Sequence, residues 1–317
     1  MTVMTFTKIC SCLLLLLLLV NATRANRKES ISYESYRKTG GISYVKLSDG
    51  WTNYELTENP DAKHTVVLLH GGTIPLCIWE PQMNALRNAG FRILRYDQYG
   101  RGFSDRPDIV YSRDLFARQL KELLDSLKIS GPVDLIGPSF GGAISATFAS
   151  RYPERVNSII FISPALNVIN SNSPLAGPIK IMRNPVIGEF LYKSIIKRKI
   201  IERAGSIAPG GKGSPCHSNF INQFTCKGTD RALFSMFKSD AFGDYRELTR
   251  ITGKYVHNIL LIHGKADKEI TGEMIEQIKE DLPKCQFVEL QKSGHSPGTD
   301  ATDILNGIIV DYISKVQ

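Results

Sequence analysis

Gly137-Pro138-Ser139-Phe140-Gly141-Gly142 is the segment of this chain with the clearest chemical meaning. A strand-like run from Val133 to Gly137 precedes it, and a small-residue helical run from Phe140 to Arg151 follows. A serine held on a tight turn between a strand and a helix is lifted out of the sheet, and flanking glycines remove the Cβ atoms that would clash there. The helix N-terminus beneath it favours developing negative charge. Ser139 is therefore the expected nucleophile. A hydroxyl is a poor nucleophile near neutral pH unless a base takes its proton.

Six histidines are candidates for that base. His70 and His263 end strand-like runs and precede glycine, which suits structural roles; His64 and His257 precede strands, and His217 stands in an irregular stretch. His295, in Ser293-Gly294-His295-Ser296 between the last strand and the last helix, has the loop position a base needs. The third member is expected after the preceding strand, where Ile259 to Gly264 leads to Asp267. Its carboxylate would orient one ring nitrogen and stabilise the imidazolium. Asp97 and Asp105 compete, but Asp97 lies before the nucleophile, where a structural hydrogen bond is expected. For the developing oxyanion, the Phe140 N–H can be one donor. The second can come from the loop His70-Gly71-Gly72-Thr73, with Gly72 preferred and Thr73 next.

The elements that must position these groups alternate in type. Gly41–Leu47 and Trp51–Leu56 flank Ser48-Asp49-Gly50 and read as a hairpin. Thr65–His70, Phe91–Tyr96, Val133–Gly137, Val156–Ile162, Asn258–His263 and Gln286–Leu290 read as strands, with helical stretches between most of them. That alternation predicts an α/β fold: a mostly parallel twisted sheet flanked by helices. Residues 163 to 256 break the rhythm, and are expected to form a helical cap over the sheet's C-terminal edge. The resulting division is 1–25, 26–162, 163–256 and 257–317: leader, core, cap and core again.

Lys8 and the apolar run Ile9–Val20 make residues 1–25 a secretory signal peptide by pattern, since about a dozen apolar residues fall short of the roughly 20 that span a bilayer. Secretion or another extracytoplasmic location is expected, with no transmembrane span after cleavage; an uncleaved anchor is the alternative. Cleavage would leave Cys77, Cys216, Cys226 and Cys285, which allow three pairings. Cys216 and Cys226, near each other in the cap, are the expected disulfide, with four free thiols as the alternative. No zinc signature surrounds them, and neither metal nor organic cofactor is expected. The net charge of +8 fits general solubility, and no nucleic-acid motif accompanies it. Between Lys180 and Lys212, eight Lys/Arg stand against two acids, a solvated face or one that attracts anions.

From about residue 41 to 317 the chain resembles the α/β-hydrolase superfamily, nearest the branch with an HG loop and a D-x-x-G-x-G-x-S segment. These read here as His70-Gly71-Gly72 and Asp97-Gln98-Tyr99-Gly100-Arg101-Gly102-Phe103-Ser104. That branch includes carboxylesterases, monoacylglycerol-lipase-like enzymes, carbon–carbon bond hydrolases and prolyl iminopeptidases. The resemblance implies Ser139, Asp267 and His295 as the triad and residues 163–256 as the cap domain. Serine at the elbow argues against the haloalkane dehalogenases and epoxide hydrolases, which place aspartate there. Phe140 departs from the tryptophan usual in the iminopeptidases.

The activity expected is hydrolysis of a small-molecule carboxylic ester, lipid-like ones included, through an acyl-enzyme. Carbon–carbon or amide cleavage on the same triad, and a low-turnover binding protein on the same fold, are the alternatives. Phe140, Trp79, Tyr99 and the apolar cap residues suggest a hydrophobic pocket, with service in the core the commoner role of aromatic residues and the alternative here.

Overall fold

The computed structural model describes residues 43–316. The predicted signal peptide, with Cys10 and Cys12, lies outside these residues. Eight strands form one sheet in the order β1-β2-β4-β3-β5-β6-β7-β8. β1 (Ser43–Lys46) and β2 (Trp51–Thr57) form the expected hairpin, and β2 runs antiparallel to β4 (Arg92–Tyr96). From β4 onward all pairings are parallel: β3 (Thr65–Leu68), β5 (Val133–Pro138), β6 (Val156–Ile162), β7 (Asn258–Gly264) and β8 (Gln286–Leu290).

The central strands are mostly apolar because both faces are covered, with Asp134 and Ser158 as buried polar exceptions that hydrogen-bond each other. Val67, Leu135, Phe161 and Leu261 point into one core, while Val66, Ile136, Ile160 and Leu260 point into the other. The first core is covered by helices Arg113–Ser126 and Phe140–Arg151, the second by Glu80–Asn88 and Thr302–Val316. Ser112 starts the Arg113–Ser126 helix by accepting a hydrogen bond from the Leu115 N–H at 3.3 Å, satisfying one donor of the first turn.

Between β6 and β7 the described chain is helical. It includes Ala176–Met182, a continuous run from Gly188 to Ile207, Pro215–Asn222, Thr229–Lys238 and Arg246–Tyr255. The last of these differs from expectation. Thr252 Oγ1 donates to the Ala146 carbonyl at 3.1 Å, and Arg246 and Arg250 pair with Asp281. This helix therefore packs with the sheet-covering layer, and the segment lying over the site ends before it.

The expected Cys216–Cys226 disulfide is not formed. Cys216 is bonded to Cys77, at a sequence separation of 139, while Cys226 is free and buried and Cys285 free and half-buried. Nearness in sequence misled because Cys216 lies in the first turn of Pro215–Asn222, packed against the segment carrying Cys77, whereas Cys226 lies beyond a further 3₁₀ turn. The bridge thus ties the insertion to the core.

Candidate active site

Parallel strands end at one rim, and the loops leaving β3, β5, β7 and β8 meet there. Chain order reverses between β3 and β5: one neighbour of β3 is β4, the other β5. Crevices at such switch points are the usual ligand sites of open α/β sheets.

Ser139 sits directly after β5 with φ +49° and ψ −119°, a strained conformation for a residue with a side chain. The surroundings hold it there. Its N–H donates to the Ile162 carbonyl at 3.0 Å, and its own carbonyl accepts from Gly142 and Ala165. A Cβ on Gly137 would lie 2.3 Å from the Gly141 carbonyl carbon, and one on Gly141 would lie 2.5 Å from the Leu69 carbonyl oxygen. No side chain fits at either position, which is the physical content of the glycine spacing.

The loop after β3 lies against this elbow. A Cβ built on Gly71 would be 3.8 Å from the Ser139 Cβ, and one on Gly72 would be 3.6 Å from the Phe140 Cβ. Gly72 and Phe140 are therefore close neighbours at the elbow. Two buried side chains hold the loop. His70 donates from Nδ1 to the Gly71 carbonyl at 2.7 Å and accepts at Nε2 from the Gln98 N–H at 3.0 Å, which fixes one neutral tautomer. Burial pushes its pKa down to about 3. Arg101 donates from Nε to the Gly72 carbonyl at 2.9 Å and from Nη1 to the Tyr99 carbonyl at 2.7 Å. Burial lowers its pKa to about 9.

On the other side of the rim, His295 Nδ1 is 2.8 Å from Asp267 Oδ2. Asp267 Oδ1 accepts from the N–H groups of Glu269 and Ile270 at 2.8 and 3.1 Å. Burial alone would raise the Asp267 pKa, but the His295 hydrogen bond and charge, with these two N–H donors, outweigh it and hold the carboxyl below its ordinary value. The His295 loop is tethered by Asp300, whose carboxylate accepts from the Gly294 N–H at 2.9 Å.

Asp267 and His295 are therefore brought together, and Ser139 and His295 line one cavity of about 380 Å³. Among the described residues Ser139 and His295 share no hydrogen bond. His295 Nε2 lies instead 3.5 Å from Glu269 Oε2, and Glu269 Oε1 is 2.5 Å from Arg203 Nη1 on the insertion. Glu269, Arg203 and Asp300 were not singled out in the sequence. The position of Glu269, two residues beyond Asp267, was the sole signal available.

Asp97 takes the structural role expected of it. Its carboxylate accepts from the Leu76 and Phe103 N–H groups and from Asn53 Nδ2, all at 2.7–2.8 Å. Burial raises its pKa despite these bonds. Asp105 accepts from the Trp51 N–H and supports the hairpin.

Trp79 lines the cavity, with Ile179, Met182, Ile200 and Phe242 among its apolar walls. The side chains of Phe140 and Tyr99 do not. Phe140 packs edge-on against Phe116 at 5.1 Å, and Tyr99 is fully buried. The turn that exposes Ser139 sends the next side chain down into the core. Among the described residues, no group of three or more His, Cys, Asp or Glu side chains is arranged to hold a metal ion. Nor, among them, is any helix long and apolar enough to cross a membrane.

Residues 64–188 match the family model described as alpha/beta hydrolase fold. The chain is 38% identical over 290 residues to the 2-hydroxy-6-oxononadienedioate/2-hydroxy-6-oxononatrienedioate hydrolase of Paraburkholderia phymatum, covering 86% of this chain and 95% of that protein. It is 26% identical over 253 residues to the 2-hydroxy-6-oxo-2,4-heptadienoate hydrolase of Pseudomonas putida, covering 74% and 83%. Its fold is similar to that of the enol-lactonase from Burkholderia xenovorans, with TM-score 0.66, 21% identity, and 86% of this chain and 100% of that one covered.

Proposed function

The chain belongs to the alpha/beta hydrolase fold family and is a hydrolase; from that premise we propose that it cleaves carboxylic esters through Ser139, His295 and Asp267. The observation that carries the reading is the joint placement of a strained Ser139 and an Asp267-bound His295 on one largely apolar cavity. In the reaction, His295 Nε2 takes the proton of Ser139 as Oγ attacks the ester carbon. The Gly72 and Phe140 N–H groups stabilise the oxyanion. The tetrahedral adduct collapses, the alcohol leaves with the proton from His295, and an acyl-serine remains. Water activated by the same imidazole then releases the acid and restores the hydroxyl.

For the first step, Nε2 must exchange its contact with Glu269 for one with Ser139. Nucleophile–base hydrogen bonds often tighten only with substrate bound. The test is labelling with a fluorophosphonate and hydrolysis of acyl esters of graded chain length. Ser139→Ala should abolish labelling and lower kcat by at least about a thousandfold. An undiminished rate in that variant would refute the assignment.

A second reading, carbon–carbon or amide cleavage on the same residues, draws on the Paraburkholderia relative, whose name is that of an oxo-dienedioate hydrolase. Turnover of that dioate with no turnover of any ester would favour it. We also propose that the protein is exported. The leader pattern supports this, and so does a core-to-insertion disulfide, a bond that persists in oxidising compartments.

A further inference from the structure

We propose that the outer face of the insertion, from Lys180 to Arg198, is a docking surface for anionic phospholipid bilayers. Among the described residues eleven large hydrophobic side chains are exposed, and five of them, Ile181, Val186, Ile187, Phe190 and Ile195, fall within this short stretch. The others are dispersed along the chain, as isolated surface apolars normally are. Val186 is 83% exposed. A concentration of this kind on one face is unusual for a surface that meets only water.

The turn that presents these side chains is built. Asn184 Oδ1 accepts from the Val186 and Ile187 N–H groups at 2.9 and 3.2 Å. The Gly188 N–H donates to the Asn184 carbonyl at 3.0 Å, and Gly188 is packed so closely that a Cβ would lie 2.1 Å from the Met182 carbonyl oxygen. A turn fixed from both sides, aiming aliphatic groups outward, has no core to serve.

Charge selects the partner. Arg183, Lys197 and Arg203 are tied inward, to the Phe237 and Ser239 carbonyls, to Asp230 and to Glu269; Lys180, Lys193, Arg198 and Lys199 remain for the outer side, against Glu189 and Glu202. Lys180 and Lys199 form no ion pair among the described residues. Apolar side chains rimmed by lysine and arginine are what an anionic headgroup layer over acyl chains complements. A protein partner would need a groove or a shaped complement, whereas a bilayer requires only this composition. The same helices turn Ile179, Met182, Ile196 and Ile200 inward onto the cavity holding Ser139, so docking would set the cavity roof against the lipid.

The surface stands independently of the ester reading, and its test reads binding. Full-length mature protein is sedimented with vesicles of phosphatidylcholine and phosphatidylserine in equal parts, and with phosphatidylcholine alone. Binding should require phosphatidylserine and weaken with salt. The double variant Val186→Glu/Ile187→Glu should bind at least about tenfold less, while hydrolysing a soluble short-chain ester as the parent does. Val186→Ser/Ile187→Ser, with a weaker but same-direction loss, guards against misfolding of the first variant. Absence of binding by the parent, equal binding by both variants, or binding that is as strong to phosphatidylcholine alone overturns the proposal. So would a concentration-dependent dimer in light scattering that the same variants dissolve, which would make the face an interface between copies.

Discussion

The two sides of the candidate site are held by different means. On the nucleophile side, position is set by backbone: Ser139 is fixed by main-chain hydrogen bonds and by glycines into which no Cβ fits. The Gly71-Gly72 loop beside it is held by His70 and Arg101, both fully buried. On the base side, position is set by side-chain charge: His295 lies between Asp267 and Glu269, and Glu269 is tied to Arg203 of the insertion. Asp267 is buried, while His295, Glu269 and Arg203 are partly exposed. A side built from backbone has one geometry; a side built from carboxylates and a movable arginine can have more than one. The contrast explains how Asp267 and His295 can be engaged while the contact from His295 to Ser139 is still open.

Arg101→Met gives the largest effect expected from breaking the nucleophile side. It leaves the Gly72 and Tyr99 carbonyls without their donor and lets the loop shift, and a misplacement of about 1 Å costs about a hundredfold in rate. The loss should fall on kcat, with KM little changed, because Arg101 touches the loop and not the cavity. Steady-state kinetics with a short ester checks this. An equal loss in both parameters would mean that the loop serves binding instead.

Acid stability separates the two sides by pH window. His70 has a folded pKa of about 3 against about 6.5 unfolded. Between these values the unfolded chain binds a proton that the folded one refuses. Stability from His70 is therefore complete above pH about 6.5 and falls as pH drops toward 3, by up to about 1.4 kcal/mol per pH unit. Asp267, held below its ordinary value, contributes above the usual carboxylate range and loses that contribution only as pH falls through its lowered pKa. Urea unfolding between pH 7 and 5 should thus show the slope in the parent and a flatter one in His70→Gln.

The smallest effect tests the base side. Glu269→Gln removes the carboxylate charge 3.5 Å from Nε2, which competes with Ser139 for the protonated ring, and a partly screened pair of this kind is worth up to about 1 kcal/mol. kcat should rise by up to about fivefold at low salt, with the gain fading as salt increases. A tenfold fall would show that Glu269 supports the reaction instead of competing with it.

Much of this architecture was legible in the sequence, for reasons that differ by residue. The parallel strands announced themselves because burial on both faces makes them short, largely apolar runs, as in Ile259–Ile262. Ser139 was legible because an elbow is a local object, encoded by consecutive residues. Asp267 and His295 were legible only through chain order, each on the loop after a strand. Whether Phe140, Tyr99 and Trp79 serve pocket or core was open in the sequence, because an aromatic side chain beside a site looks the same whichever way its Cβ points; Trp79 lines the cavity and the other two serve the core.

The sequence by itself determined the strand–helix alternation, the strained turn at Ser139 and the basic, apolar stretch near Val186, since each follows from the size, shape or charge of adjacent residues. The tertiary structure alone decided that Cys77 bonds Cys216, that Arg203 reaches Glu269 and that the Arg246–Tyr255 helix joins the core layer. Each of those joins segments distant in the chain. Which distant groups meet depends on how strands pair and helices pack across the whole molecule, and no local pattern contains that information.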